Sequence, residues 1–235
     1  MQLIPKERLI VALDVNNLNE ATKLVNQLID YVPTFKVGAQ LFTSAGNDAV
    51  KMIQDKGGKV FLDLKFHDIP NTAASATKIV AELGIFMFTI HTLGGNEMMK
   101  AVVEAIAIQQ TKPLIIGVSI LTSLNQEGLK EIGITKNLNE EVIALAKLAK
   151  SSGLDGIVAS THEVKGIRNQ YGSDFIIVTP GIRPAACLAD DQKRVATAKK
   201  AIEEGADFIV VGRPIIGDPN PAKVANQIIE EMVID

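Results

Sequence analysis

Cysteine, histidine and the large aromatics are scarce in this chain, and each scarcity closes a route. A lone Cys187 cannot form an internal disulfide, and three histidines far apart in sequence (His67, His91, His162) leave no Cys/His spacing for a thiol-ligated structural zinc. Tryptophan is absent, tyrosine occurs twice, and 24 lysines and arginines are scattered among 27 acids for a net charge of -3. Neither the basic stripe nor the stacking platforms of a nucleic-acid binder are present, so no nucleic acid is expected as a partner. Long apolar runs are missing too: stretches such as Ile10-Val11-Ala12-Leu13 and Ile209-Val210-Val211 fall far short of the roughly 20 residues that cross a bilayer. No membrane partner is expected. Residues 1–8 lack the basic-then-apolar order of a secretory signal, which points to the cytoplasm.

Aliphatic side chains, by contrast, are abundant. Apolar residues fill 47% of the 235 positions, enough for a large core, and this excludes disorder. Short runs rich in Val, Ile, Leu and Phe recur at 8–15, 34–39, 59–66, 85–91, 113–120, 156–160, 175–180 and 207–213. Amphipathic stretches such as 19–29 (Leu24, Val25, Leu28) and 140–149 (Val142, Ile143, Leu145, Leu148) lie between them. Eight alternating units with no linker or low-complexity segment predict one α/β domain over 1–235, a (βα)8 TIM barrel, rather than a doubly wound sheet with about five to seven strands.

Strands of such a barrel are buried on both faces, so charges inside them require a reason. Asp14, Lys36, Asp63, Lys65 and His91 all fall in the later half of their runs, the half that leads into the βα loops. Period two groups Ala12 with Asp14, Lys36 with Gly38, Asp63 with Lys65, Thr89 with His91 and Gly117 with Ser119. The alternate positions (Leu13, Val37, Leu62, Leu64, Ile90, Val118) are apolar and are assigned to the layer beneath the helices. Polar groups thus converge on the C-terminal mouth, where barrel active sites lie.

In Asp63-Leu64-Lys65-Phe66-His67-Asp68, two opposite charges share a strand face and a third follows the strand end; Lys36 completes an alternating set of four. A structural ion network is one reading. Against it stands cost, because buried ion pairs often stabilise no better than apolar replacements. The set suits chemistry that leaves negative charge on carbon, with Lys65 as the acid that neutralises it. Flanking carboxylates would hold that ammonium charged, each contact near ~4 Å contributing on the order of 4 kcal/mol before solvation at an effective dielectric of about 20. An incoming carboxylate would be repelled by Asp63 until it departs as carbon dioxide.

The run Phe61-Leu62-Asp63-Leu64-Lys65-Phe66-His67-Asp68-Ile69-Pro70-Asn71-Thr72 resembles the signature of the orotidine 5′-phosphate decarboxylase family. Its D-x-K-x-x-D core is shared with related decarboxylases and aldolases of the same barrel group, whereas the extension to H-D-I-P-N-T is specific. The likeness continues through Leu13-Asp14, Phe35-Lys36-Val37-Gly38, Leu121-Thr122-Ser123, Thr179-Pro180-Gly181-Ile182-Arg183-Pro184, Asp190-Asp191-Gln192-Lys193-Arg194 and Val211-Gly212-Arg213-Pro214-Ile215, in order along the whole chain. The resemblance implies decarboxylation at C6 of the pyrimidine without metal or organic cofactor. Lys65 would protonate C6, Asp63 would lie beside the departing carboxylate, and Lys36 would link ribose to the charges. Asp14 is implied to bind ribose hydroxyls, Thr122 the base, and Arg183 and Arg213 with Gly212 the phosphate. Gln192 would reach phosphate and base from a closing loop at about 181–191. Asp68 and Thr72 are implied to enter the partner subunit's site in a homodimer.

Plainer roles stand beside these: Thr72 as an ordinary first-turn residue, Thr122 as the cap of a helix at 124–131, Gly212 as a simple turn with a solvated Arg213, His91 as a hydrogen-bonded core residue, Cys187 as a neutral filler. Ala198, where the family leads one to expect proline, puts a local helix start in question. A metal-dependent sugar-phosphate decarboxylase or aldolase remains open, although Lys36 would compete with the cation. So does a catalytically silent nucleotide-binding barrel, although Lys65 is intact.

Overall fold

A computed structural model describes residues 3–183 and 196–233. Eight parallel strands close on themselves in sequence order: β1 Leu9–Ala12, β2 Thr34–Gly38, β3 Lys59–Phe66, β4 Met87–His91, β5 Leu114–Val118, β6 Gly156–Val158, β7 Ile176–Thr179 and β8 Phe208–Val211, with β8 pairing back to β1. Helices follow the strands, and the two stretches singled out by their periodicity form helices Leu18–Leu28 and Leu138–Ser151. All eight expected strands are present; β3 coincides with its run and the other seven are shorter than theirs. Asp14 consequently lies two residues beyond β1, and Arg213 opens a short helix, Arg213–Ile216, rather than ending β8.

Alternation divides the strand side chains into two cores. Ile10, Ala12, Phe61, Met87, Ile116, Val178, Phe208 and Val210 fill the barrel interior, while Leu9, Val11, Leu13, Phe35, Val37, Leu62, Phe88, Ile90, Ile177 and Ile209 pack under the helices. The interior is therefore a packed floor on which a site can be built.

Strand β5 corrects the expected facing. Ile116 belongs to the interior cluster and Val118 lines the cavity above it, whereas Gly117 and Ser119 face outward. A Cβ on Gly117 would come within 2.8 Å of Thr92 Cγ2 and 3.0 Å of Leu154, so the helical layer closes over a position that only hydrogen can occupy. The Ser119 hydroxyl donates to the Val158 carbonyl at 2.8 Å. In a strand buried on both sides, both faces are apolar, and hydropathy cannot tell inside from outside.

At the opposite, N-terminal rim, two acids serve the backbone. Asp155 Oδ2 accepts from Ile115 N–H and Asp207 Oδ2 from Ile177 N–H, each at 2.8 Å. Burial pushes the Asp155 carboxyl above its ordinary range. The helix whose start Ala198 put in question runs Ala198–Glu203, capped by Thr197, whose side chain accepts from Lys200 N–H.

Candidate active site

Three neighbouring strands bring the charges together. Leu13 N–H donates to the Lys36 carbonyl at 3.0 Å, fixing the exit of β1 against β2. Across that junction Lys36 Nζ lies 3.0 Å from Asp14 Oδ1 and 3.6 Å from Asp63 Oδ2. Asp63 Oδ1 in turn accepts from Lys65 Nζ at 2.9 Å. The connected order is Asp14, Lys36, Asp63, Lys65. Its middle members are the buried ones, with side chains 12% (Lys36) and 14% (Asp63) exposed against 42% for Asp14 and 38% for Lys65. Lys65 is thus held through its ammonium by Asp63 while more of its side chain stays exposed than that of Lys36. Room for the Lys36 ammonium comes from Gly38, where a Cβ would stand 2.8 Å from Nζ.

Asp68 departs from the expected set of four. It lies on the exposed turn after β3, where its Oδ1 accepts from Ile69 N–H at 2.7 Å. Among the described residues, the carboxylate in salt-bridge contact with Lys65 is that of Asp63. Thr72 is exposed in the first turn of helix Pro70–Glu82. Within one chain, then, Asp14 rather than Asp68 completes the alternation.

The chain geometry at Lys65 is unusual. Its φ is +53°, and it is the one non-glycine among the described residues in the left-handed region. Pairing with β4 explains how: Leu62 opposes Phe88 and Phe66 opposes Ile90, so Asp63, Leu64 and Lys65 occupy the span that Thr89 occupies alone. Period two correctly put Asp63 and Lys65 on the cavity side without revealing this bulge.

Above the apolar floor lies a cavity of about 360 Å³ lined by Asp14, Lys36, Asp63, Lys65, Thr122, Arg183, Gly212 and Arg213. Thr122 does not cap the following helix, Gln126–Glu131; the Asn125 side chain does so by accepting from Gly128 N–H. Arg183 is 5% exposed, with Nη1 on the Ile182 carbonyl at 3.2 Å and Nη2 without a hydrogen-bond partner among the described residues. A buried guanidinium with spare donors facing a cavity is suited to an anion. A Cβ on Gly212 would stand 3.4 Å from Ala12 Cβ and from Asp14 Oδ2, so the backbone there runs close to the charged set. Gln192 and Cys187, with most of the 181–191 loop, lie outside the described residues; at its base Arg183 N–H donates to the Ala196 carbonyl at 3.0 Å.

His91 is hydrogen-bonded as expected, its Nδ1 accepting from Leu93 N–H at 3.4 Å, and it stacks on His67 with ring centroids 5.2 Å apart. Burial, then the neighbouring His67 and Lys65 charges, lower its pKa from 6.5 to about 4. Two contributors went unnoticed in the sequence. Gly38 stands in the sequence as part of a motif and Thr89 as an inner-face residue, and neither carries a charge that marks it as functional.

Comparison with known proteins bears directly on this arrangement. Residues 7–228 match the Orotidine 5'-phosphate decarboxylase / HUMPS family, a span containing all eight strands and every cavity residue named above. The chain belongs to that family. It is 50% identical over 232 residues to orotidine 5'-phosphate decarboxylase from Syntrophotalea carbinolica, covering 97% of this chain and 95% of the relative. The Geotalea daltonii protein of the same name is 48% identical over 231 residues, with 97% of each chain covered. Among solved structures, orotidine 5'-phosphate decarboxylase from Lactobacillus acidophilus superimposes with a TM-score of 0.85 at 39% identity, over 96% of this chain and 99% of that one. Membership of the orotidine 5'-phosphate decarboxylase / HUMPS family thus agrees with the resemblance carried by the β3 segment and with the closed (βα)8 barrel. No described helix is long and apolar enough to cross a membrane.

Proposed function

We propose that this protein converts orotidine 5′-phosphate to UMP, the last step of UMP synthesis, with no metal or organic cofactor. The observation that carries the reading is the linked ion series at the cavity wall, with Lys65 Nζ 2.9 Å from Asp63 and Lys36 between Asp63 and Asp14. An ammonium occupies the place between two carboxylates that a divalent cation would otherwise bridge, which disfavours the aldolase-like alternative.

In the reaction the C6–carboxylate bond breaks, carbon dioxide leaves, the electron pair stays on C6, and a proton passes from Lys65 Nζ to that carbon. Asp63 holds the Lys65 ammonium in place, and its charge disfavours the substrate carboxylate more than the products. Arg183, Arg213 and the Gly212 backbone take the phosphate, Asp14 and Lys36 the ribose hydroxyls, and Thr122 the base. Phosphate binding far from C6 lets binding energy be used in the transition state. The outward positions of Asp68 and Thr72 suit service to a second subunit, so the working unit is a cytoplasmic homodimer in which each completes the other's site.

The deciding assay follows the ultraviolet change of orotidine 5′-phosphate with purified protein in excess EDTA. Sustained conversion to UMP is expected. Turnover only with a divalent metal and a sugar phosphate, or tight UMP binding with no turnover, overturns the reading.

A further inference from the structure

Thr89 is 1% exposed at the centre of β4, directly opposite the three-residue bulge of β3. Its Oγ1 accepts the Lys65 backbone N–H at 2.9 Å and lies 3.0 Å from Asp63 Oδ1, the same oxygen that holds Lys65 Nζ. The direction of these bonds is fixed by what each group can do. An amide only donates and a carboxylate only accepts, so the single threonine proton points at Asp63. One hydroxyl thereby ties down both ends of the same lysine: its main chain directly, and its ammonium through the carboxylate.

The bulge makes that hydroxyl necessary. Where three residues face one, the regular ladder of carbonyls on β4 has no partner in register for the Lys65 N–H, and a buried amide left unpaired is costly. Lys65 is also in a backbone region that a non-glycine residue occupies only when its surroundings impose it. Thr89 supplies the missing acceptor at the strained residue.

Resting on the decarboxylase reading above, we propose that Thr89 is a positioning residue: its hydroxyl imposes the left-handed turn at Lys65 and aims the Lys65–Asp63 pair at the reacting carbon, without itself touching substrate. It is part of neither the charged set nor the cavity lining, and its contribution should appear in the chemical step rather than in binding.

The experiment compares parent, Thr89→Val, Thr89→Ala and Thr89→Ser for kcat and KM with orotidine 5′-phosphate, each checked for folding by circular dichroism. Valine keeps the shape and loses both bonds; serine keeps the hydroxyl and loses a methyl group. For Thr89→Val, kcat is expected to fall about 30- to 300-fold while KM changes by less than about threefold, since a lost pair of buried, partly charged hydrogen bonds is being read. Thr89→Ser is expected to recover kcat to within about fivefold of the parent. Should valine fail to fold, alanine against serine makes the same comparison. The proposal is overturned if Val or Ala keeps kcat within about twofold of the parent, or if Ser is as impaired as Ala, which would assign the effect to packing. An inactive parent would instead overturn the decarboxylase reading itself.

Discussion

At the N-terminal rim Arg168 spreads its guanidinium over the carbonyls of Gly172, Phe175 and Gly205 and the Asp207 carboxylate, which itself accepts the Ile177 amide. At the C-terminal rim, among the described residues, Arg183 Nη2 has no hydrogen-bond partner, and Lys65 gives its ammonium to the Asp63 carboxylate while lining the cavity. The same residue types serve both ends of one barrel. Below, their hydrogen-bonding capacity is consumed by the chain, which fastens strand starts; above, capacity is left over, which is what a ligand needs. Charge in a barrel strand is therefore not informative by itself, whereas unspent donors beside a cavity are.

That contrast can be broken in order of expected effect. Lys65→Ala should lower kcat by about a thousandfold or more, as expected on losing a positioned general acid, while UMP still binds by calorimetry. Near-normal turnover would remove Lys65 from the mechanism. At the other rim, Asp207→Ala should cost about 2 to 3 kcal/mol in urea unfolding, by stranding Arg168 and the Ile177 amide, with kcat of the folded protein unchanged. A marked loss of kcat there would erase the distinction between the rims.

Gly38→Ala sharpens the comparison. Its φ of -94° accommodates alanine, but the added methyl displaces the Lys36 ammonium. A loss of about tenfold in kcat/KM with a melting temperature within about 2 °C of the parent is expected, because the group that must move is the far end of a lysine rather than the core.

The smallest effect concerns pH. The folded chain keeps His91 neutral down to about 4, while the unfolded chain takes up a proton from 6.5 downward. The unfolded state therefore binds more protons between pH 6.5 and 4, and stability falls as pH falls through that window. His91→Gln should flatten this part of the denaturation profile; an unchanged slope would show that His91 is not its source.

Much of this was legible in the sequence because it depends on composition along single strands. Eight apolar runs located eight strands, and Asp14, Lys36, Asp63, Lys65, Thr122, Arg183, Gly212 and Arg213 do share one cavity. What stayed hidden depends on relations between strands. The inside face of β5 is set by closure around Ile116 and Val118, not by a hydropathy difference. The bulge at Lys65 arises from a register shift against β4, which no residue in β3 announces. Thr89 matters through two hydrogen bonds to its neighbour strand. Asp68 lies on the turn after β3 with its carboxylate on the Ile69 amide, a local geometry that charge alternation along β3 does not reveal.

Holding Lys65 at a φ of +53° has a cost of about 1 to 2 kcal/mol that a glycine at that point would not incur. Lys65→Gly would relieve that strain but take the ammonium away from Asp63 and leave the barrel idle. The strained backbone at this residue is thus kept together with the charge it presents to the cavity.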